Sequence, residues 1–279
     1  MIFLLLTVIT ITAAVNIAVS QKFLYLQQYN YFNSKVNSSI RIVQLSDLHN
    51  YKFGKNNTRL IKKIYQQKPD LIVMTGDMLN GDEKNLDSLL AVIEQCVRIS
   101  PVYFSYGNHE KEYIENYLPE QELRKRIEDA GACVLDREYI DTQVNGQQLR
   151  IGGVYGYVLR YISDPRDEEE QSFMQAFTDT DSLKILLSHV PEGLLLWKSM
   201  EEWDVDLIFS GHVHGGQVRV PFVGGLYDPE EGFWPAYTKG MFTCGHGTMV
   251  LSGGLGSSRG IPRINNLPEI VVCDLNTET

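Results

Sequence analysis

Residues 40–49 read IRIVQLSDLH, and residues 71–77 read LIVMTGD. In each segment a short, mainly apolar run is followed by an aspartate, which predicts a buried strand and then a turn that carries a polar group. Between the two runs, apolar residues recur at helical spacing from Leu60 to Tyr65, and Pro69 ends the pattern. The order strand, helix, strand predicts a right-handed unit with parallel strands.

The same alternation continues along the chain. A second helical pattern runs from Leu86 to Val97, Pro101 ends it, and a third strand is predicted at 102–105. The polar stretch 110–130 is expected to be helical. Further strands, several of them joined by Gly-rich turns, are predicted at 148–154, 183–188, 205–210, 217–220, 248–252 and 269–275. We therefore expect an α/β domain at 40–279 with a second, partly antiparallel sheet.

The amino-acid composition of the chain excludes several classes of protein. The 279 residues carry a formal net charge of −10, which argues against a basic nucleic-acid-binding protein. With 43% hydrophobic and 22% charged residues, the chain resembles an ordinary globular domain. Its four cysteines form no C-x-x-C pair and are too sparse for a disulfide framework, so we expect buried apolar fillers at Cys96, Cys133, Cys244 and Cys273.

The N-terminal segment 1–20 contains no charged side chain and is long enough to span a bilayer, which predicts a membrane anchor. A cleaved signal peptide is the alternative, because Ala18 and Ser20 have the small side chains of a cleavage site. No Lys or Arg precedes the apolar run, which argues against that alternative. The side of the membrane stays open. Residues 21–39, rich in Gln, Asn, Tyr and Ser, are interpreted as a polar juxtamembrane tether.

Side chains that bind metals follow five of the predicted strands. In chain order they are Asp47 and His49, then Asp77, then Asn108 and His109, then His189, and finally His212 and His214. Five of the six histidines of the chain are in this set. Ligands bind at the carboxyl ends of strands in open α/β sheets, and oxygen and imidazole donors without thiolates suit Mn²⁺, Zn²⁺ or iron. The candidates exceed the needs of one ion, so the sequence favours two.

These blocks resemble the pattern of the calcineurin-like metallophosphoesterases. The family pattern is D-x-H, GD, GNH[DE], H and GHxH, and all five blocks occur here in that order, within residues 40–275. The sequence GHVHGGQVRVP at 211–221 and the sequence LSGGLGSSRGIPRINNLPEI at 251–270 are similar to a bacterial membrane-associated branch. The resemblance implies a two-sheet mixed β-sandwich flanked by helices.

The resemblance also implies a role for each matched residue. One divalent ion would be held by Asp47, His49, Asp77 and His214. The other would be held by Asp77, Asn108, His189 and His212. Asp77 would bridge the ions, a hydroxide between them would attack phosphorus in line, and His109 would stabilise the transition state or protonate the leaving oxygen. The implied reaction is metal-dependent hydrolysis of a phosphomonoester or a phosphodiester.

The substrate is less strongly indicated. Arg259 and Arg263 are weak candidates for phosphate binding. A membrane anchor favours a lipid-linked or envelope phosphate, whereas small soluble phosphodiesters, or a non-catalytic metal-binding scaffold, are the alternatives. Four aromatic residues near the tail are expected to form a satellite hydrophobic cluster, with an apolar-binding or sugar-binding loop as the alternative. They are Tyr227, Phe233, Trp234 and Tyr237.

Overall fold

The fold is a sandwich of two mixed β-sheets with helices on both outer faces. The computed structural model describes residues 15–156, 168–196, 201, 203–228, 231–257 and 261–278. The predicted α/β two-sheet architecture is confirmed in these residues.

The first sheet contains six strands. They are β1 (Tyr25–Asn33), β2 (Ile40–Leu45), β3 (Leu71–Thr75), β4 (Val102–Ser105), β5 (Cys133–Val134) and β16 (Glu269–Thr277). Their order is β1-β16-β2-β3-β4-β5, and β2 to β5 run parallel to one another. The carboxyl ends of β2, β3 and β4 therefore meet at one edge of this sheet.

The second sheet also contains six strands. They are β6 (Glu138–Val144), β7 (Gln147–Val154), β8 (Leu183–Ser188), β9 (Leu207–Ser210), β14 (Gly240–Cys244) and β15 (Gly247–Leu251). Their order is β14-β15-β9-β8-β7-β6, with a parallel centre and an antiparallel strand at each edge. Two short hairpins follow β9, and their strands are β10 (Arg219–Val220), β11 (Gly224–Gly225), β12 (Tyr227–Asp228) and β13 (Gly232–Phe233).

Six helices with defined bounds cover the sheets. They are α1 (Thr58–Gln67), α2 (Asp87–Val97), α3 (Asn108–Asn116), α4 (Glu120–Asp129), α5 (Glu168–Thr178) and α6 (Glu192–Leu195). The expected helix over 110–130 is two helices, because Pro119 precedes α4 and lacks the N–H needed to continue α3.

The core has separate layers, because successive side chains of a strand face opposite sides of its sheet. In β2, Ile42 faces the space between the sheets, whereas Val43 and Leu45 face the helices of the first sheet. In β8, Ile185 lies between the sheets and Leu186 packs toward α5. Each central strand is thus buried on both faces, which explains why these strands are near-continuous apolar runs in the sequence.

The prediction of a polar tether at 21–39 is wrong for residues 25–33, which form the strand β1. Residues 25–33 pair with β16 along their whole length, and the side chains of Tyr31 and Val36 are buried. The domain therefore begins upstream of the predicted boundary at residue 40. Sequence pattern missed this strand because its partner lies at the other end of the chain, at 269–277.

The predicted membrane segment is only partly described. Residues 1–14 lie outside the described residues, and residues 15–22 are helical. None of the helices in the described part of the chain is long and apolar enough to cross a membrane. Of the four cysteines, Cys96 and Cys273 are buried and Cys133 is partly buried, and these three are free thiols.

Candidate metal centre

The seven predicted metal ligands lie on loops at the carboxyl ends of strands from both sheets. Five of them have a backbone that is left-handed, with positive φ: Asp47 (53°), His49 (47°), Asp77 (52°), His212 (74°) and His214 (51°). This conformation costs a non-glycine residue about 1–3 kcal/mol, and it persists only where the surroundings impose it. The loops therefore hold these side chains in position at some cost to stability.

Four residues form the first group of ligands. The Nε2 atoms of His49 and His214 are 3.1 Å apart. His214 Nε2 is 3.5 Å from Asp47 Oδ1, and His49 Nε2 is 3.7 Å from Asp77 Oδ2. The ligand atoms of this group all lie within 4.8 Å of one another, so a single cation can reach them together.

The second group shares Asp77 with the first. His189 Nε2 is 3.3 Å from Asp77 Oδ2 and 3.2 Å from Asn108 Oδ1. His212 Nδ1 lies 2.9 Å from the same Asn108 oxygen. The structure thus brings all seven predicted ligands into two adjoining groups, with one carboxylate common to both.

The donor set fits a pair of divalent cations. Imidazole nitrogens and carboxylate or amide oxygens suit Mn²⁺, Zn²⁺ or iron, and buried metal-binding histidines keep a partner on their other nitrogen. Here His189 Nδ1 lies 2.6 Å from the carbonyl oxygen of Thr75, and His49 Nδ1 lies 3.1 Å from Asn80 Oδ1. Those contacts place the ring hydrogen on Nδ1 and direct the lone pair of Nε2 into the centre.

Burial keeps most of these imidazoles neutral. It lowers the pKa of His49 to about 4 and, together with the charge of His189, the pKa of His212 to about 3. Burial also holds the pKa of His214 well below its usual range. Neutral imidazole is the form that binds a metal, so these three ligands are ready to bind at neutral pH.

His189 and Asp77 are adjacent, with His189 Nε2 3.3 Å from Asp77 Oδ2. Burial alone would lower the pKa of His189, but the adjacent Asp77 carboxylate outweighs it and raises that pKa to about 10. Burial opposes ionisation of Asp77, yet His189 and the neighbouring imidazoles hold its pKa well below the usual range. Burial raises the pKa of Asp47 to about 6. A cation beside Asp77 would therefore displace a proton from His189.

Glu110 supports the bridging residue. Its side chain is fully buried, and its Oε2 atom accepts the backbone N–H groups of Asp77 (2.7 Å) and Gly107 (2.8 Å). The other oxygen accepts Met78 N–H (2.9 Å) and Leu79 N–H (3.4 Å). Burial and the Asp77 charge raise the pKa of Glu110, while the N–H bonds oppose that shift. The carboxylate ties the turn after β3 to the start of α3.

Two glycines allow the turns after β3 and β4 to approach each other. A Cβ on Gly76, which has a φ of 81°, would lie 2.5 Å from the backbone nitrogen of Gly107. A Cβ on Gly107 would overlap the Asp77 carboxylate. The glycines of the GD and GNH[DE] blocks are therefore needed for close packing as well as for turn geometry.

His109 lies beside the two ligand groups. The N–H of Gly81 donates to its Nδ1 atom at 2.9 Å, so the neutral ring carries its hydrogen on Nε2. That Nε2 is 3.9 Å from Asp77 Oδ2, and the side chain remains 13% exposed. His109 can therefore present a proton to a group bound at the centre.

The two arginine candidates have different outcomes. Arg259 lies outside the described residues. Arg263 is only 1% exposed, its Nε donates to Gly256 O at 2.6 Å, and its Nη2 is 3.4 Å from His214 Nδ1. The prediction that Arg263 contacts substrate is therefore corrected. Its guanidinium is buried next to the ring of His214, and we interpret it as a support for that residue.

Several supporting residues were missed by sequence reasoning. Asn80 contacts His49, and Asn266 donates its side-chain N–H to the carbonyl oxygen of His214 at 2.7 Å. Glu110 is the last residue of the GNHE block and lies in the first turn of α3. The GNHE block contained a signal for Glu110, whereas no local pattern marks Asn80 or Asn266.

A two-sheet sandwich whose strand ends hold two ligand groups around a shared carboxylate defines a dinuclear metallohydrolase. The family model of the calcineurin-like phosphoesterases matches residues 40–216, and the chain belongs to that family. It is a metal-dependent phosphoric ester hydrolase. The family and the ligand groups indicate a dinuclear divalent metal site.

Individual relatives agree with this assignment. The chain is 30% identical over 245 residues to the uncharacterised metallophosphoesterase YkuE of Bacillus subtilis, covering 85% of this chain and 79% of the relative. It is 27% identical over 240 residues to the phosphodiesterase YaeI of Escherichia coli, covering 84% and 82%. Among solved structures, the sulfate thiohydrolase SoxB of Thermus thermophilus has a TM-score of 0.49 at 16% identity, covering 84% of this chain and 56% of that one.

Proposed function

We propose that this protein is a membrane-associated phosphodiesterase that uses two divalent metal ions and acts on a lipid-linked or envelope phosphate. The observation that carries the proposal is the convergence of two ligand groups on Asp77, with His109 Nε2 directed at the same carboxylate. The relative YaeI, which is named a phosphodiesterase, supports a diester over a monoester. Small soluble phosphodiesters are the alternative substrates.

Each residue of the metal centre would have a separate role in the proposed hydrolysis. Two bound cations would lower the pKa of a water molecule and polarise the phosphoryl oxygens. Asp77 would be shared between them, because both ligand groups include its carboxylate. His109, whose Nδ1 accepts the Gly81 N–H, would donate the Nε2 hydrogen to the leaving oxygen.

Membrane association is supported by the sequence at the N-terminus. Residues 1–14 contain no charged side chain and are mostly apolar. A lipid-linked substrate would then share the surface to which the enzyme is attached. That local concentration would favour such a substrate over a soluble one.

The first test is metal dependence. Full-length protein dialysed against EDTA is expected to lose hydrolysis of bis(p-nitrophenyl) phosphate, and Mn²⁺ is expected to restore it by about 10²-fold or more, because the cations supply most of the charge stabilisation. Elemental analysis should find about two ions per chain. The monoester p-nitrophenyl phosphate, measured in parallel, should be the poorer substrate.

Two outcomes would overturn parts of this proposal. Folded, metal-loaded protein that turns over neither ester would favour the metal-binding scaffold. Faster hydrolysis of the monoester would remove the preference for diesters. A screen of phospholipids and nucleotide diesters on the same preparation would then separate lipid-linked from soluble substrates.

A second prediction concerns His109. The His109→Gln variant is expected to lose about 10²-fold in kcat for a diester with an alkyl leaving group, because glutamine cannot donate a proton in the same way. The loss should be much smaller for p-nitrophenolate, which leaves without protonation. His246→Gln changes an exposed histidine in the turn between β14 and β15 and serves as the matched control. Equal losses for both leaving groups would contradict proton donation.

A further inference from the structure

An exposed apolar surface lies beside the metal centre. It consists of five side chains on the two short hairpins, called here the aromatic rim: Phe222, Val223, Tyr227, Phe233 and Trp234. Phe222 is fully exposed, Phe233 is 70% exposed and Trp234 is 54% exposed. Three of the four residues of the expected satellite hydrophobic cluster, Tyr227, Phe233 and Trp234, are therefore exposed rather than buried.

The rim is one continuous piece of structure. Leu226 joins the hairpin β10–β11 to the hairpin β12–β13, and its N–H donates to Val218 O at 2.8 Å. The N–H of Trp234 donates to Leu226 O at 3.0 Å. The rings of Tyr227 and Phe233 are 5.3 Å apart. The two hairpins are thus tied to each other through Leu226.

Packing within the chain does not explain these aromatic residues. Phe222 and Trp234 both have a left-handed backbone, with φ of 67° and 64°. Glycine or asparagine would occupy such a position at lower cost, and a bulky residue there costs about 1–3 kcal/mol. Both side chains then remain in solvent. An unfavourable backbone and an exposed aromatic ring at the same two positions indicate a role outside the folded chain.

The hairpin that carries Phe222 and Val223 is connected to the loop that carries His214. β10 follows the GHVHGG loop, and Arg219 at its start donates from Nη1 to the carbonyl oxygen of Gly215 at 2.8 Å. His214 precedes Gly215 and is a member of the first ligand group. Whatever covers the rim would therefore lie close to the site where the phosphate is hydrolysed.

The N-terminal segment reaches the same side of the molecule. Residues 15–22 are helical, and Asn16 Oδ1 accepts the backbone N–H of Asn265 at 2.6 Å. Asn265 in turn donates from its side chain to the carbonyl oxygen of Arg219 at 3.2 Å. The uncharged residues 1–14 continue from this helical stretch in the sequence. The helical stretch 15–22 and the hairpin β10–β11 are thus linked through Asn265.

We infer that the aromatic rim inserts into the interfacial layer of a lipid bilayer and turns the mouth of the metal centre toward the membrane surface. Phenylalanine, tyrosine and tryptophan favour this layer because their rings are apolar or have one polar end. Glu231 immediately precedes β13 of the rim, and the chain carries a net charge of −10. The lipid is therefore zwitterionic, and attachment depends on apolar burial rather than on charge. This inference rests on the proposed membrane association.

The test measures the bilayer depth of one added tryptophan, as the difference in emission between each variant and its parent, which keeps Trp197 and Trp203. Full-length protein with Trp234→Phe is the parent, and Phe222→Trp or Ile140→Trp is added to it. Ile140 is an exposed apolar residue on β6, at the opposite edge of the second sheet from β14, and provides the matched control. Each variant is reconstituted in phosphatidylcholine vesicles with or without chains brominated near the headgroup.

Tryptophan at position 222 is expected to lose about half of its added emission to the brominated lipid, because residues at the interface lie within contact of the upper chains. Tryptophan at position 140 should lose none. In a second measurement, the quenching of Trp234 is taken as the difference between the unchanged chain and Trp234→Phe, and Phe222→Asp should abolish that difference. Addition of 0.5 M NaCl should change none of these results, since salt screens only charge.

Three results would overturn the inference. They are no quenching at position 222, equal quenching at positions 222 and 140, and a blue shift at position 222 without quenching, which would indicate contact with another protein molecule. Hydrolysis of bis(p-nitrophenyl) phosphate by the same samples is a separate readout. A variant that loses quenching but keeps this activity leaves the phosphodiesterase assignment intact, so the two failures are distinguishable.

Discussion

Asp77→Asn is expected to lower kcat/KM for bis(p-nitrophenyl) phosphate by about 10³-fold or more, the effect of losing about 4 kcal/mol of transition-state stabilisation. The Asp77 carboxylate is the only ligand common to both groups of the metal centre within the described residues. An amide has no negative charge to share between two cations. The amide NH₂ group would also lie near the ring of His189 or face the backbone N–H of His109, which donates to Asp77 Oδ1 at 2.8 Å.

The test requires the metal content of the variant to be measured as well as its activity. Elemental analysis of Asp77→Asn should find about one ion per chain or fewer, because each group loses its shared ligand. Asp141→Asn is the matched control: Asp141 pairs with Arg150 on β7, far along the chain from the ligand loops. Full activity of Asp77→Asn with two bound ions would contradict the shared-ligand arrangement.

The convergence of the candidate ligands could be predicted from sequence because each one follows a strand that is itself a clear apolar run. Asp47 and Asp77 come directly after β2 and β3, and parallel strands must bring their carboxyl ends to one edge. His189 and His212 follow β8 and β9 of the other sheet. That the two edges face each other across the sandwich follows from sheet packing, which local pattern does not encode.

The residues that support the ligands could not be predicted in the same way. Arg263 was expected to meet substrate because a cation near a phosphate site suggests binding, yet burial places it behind His214. Asn80 contacts His49 only because the turns after β2 and β3 are held together, for example by His49 N–H donating to Asp77 O at 3.0 Å. Such contacts depend on tertiary structure.

The strand β1 shows the same limit for the fold. Its sequence, YLQQYNYFN, is polar enough to suggest a tether. It forms a strand because β16 supplies a parallel partner over nine residues, from Tyr25 opposite Glu269 to Asn33 opposite Thr277. Pairing between the two ends of a chain leaves no local signal, so pattern analysis favours a loop there.

Glu110→Gln is expected to lower the free energy of unfolding by about 3–5 kcal/mol. Its carboxylate accepts four backbone N–H groups, from Asp77, Met78, Leu79 and Gly107. Glutamine would turn one acceptor oxygen into an NH₂ donor, which would face at least one of those N–H groups in a fully buried site. The midpoint of thermal unfolding should fall by about 10 °C for a chain of this size.

The same substitution should lower kcat by about tenfold at a temperature where the variant is folded, because the turn that carries Asp77 and the start of α3 would no longer be held together. Glu115→Gln, on the exposed side of α3, is the matched control and should change neither property. Unfolding followed by circular dichroism gives the stability, and diester hydrolysis below the midpoint gives kcat. A variant as stable and active as the parent would mean that the buried carboxyl is not ionised, since only a charged group depends on all four donors.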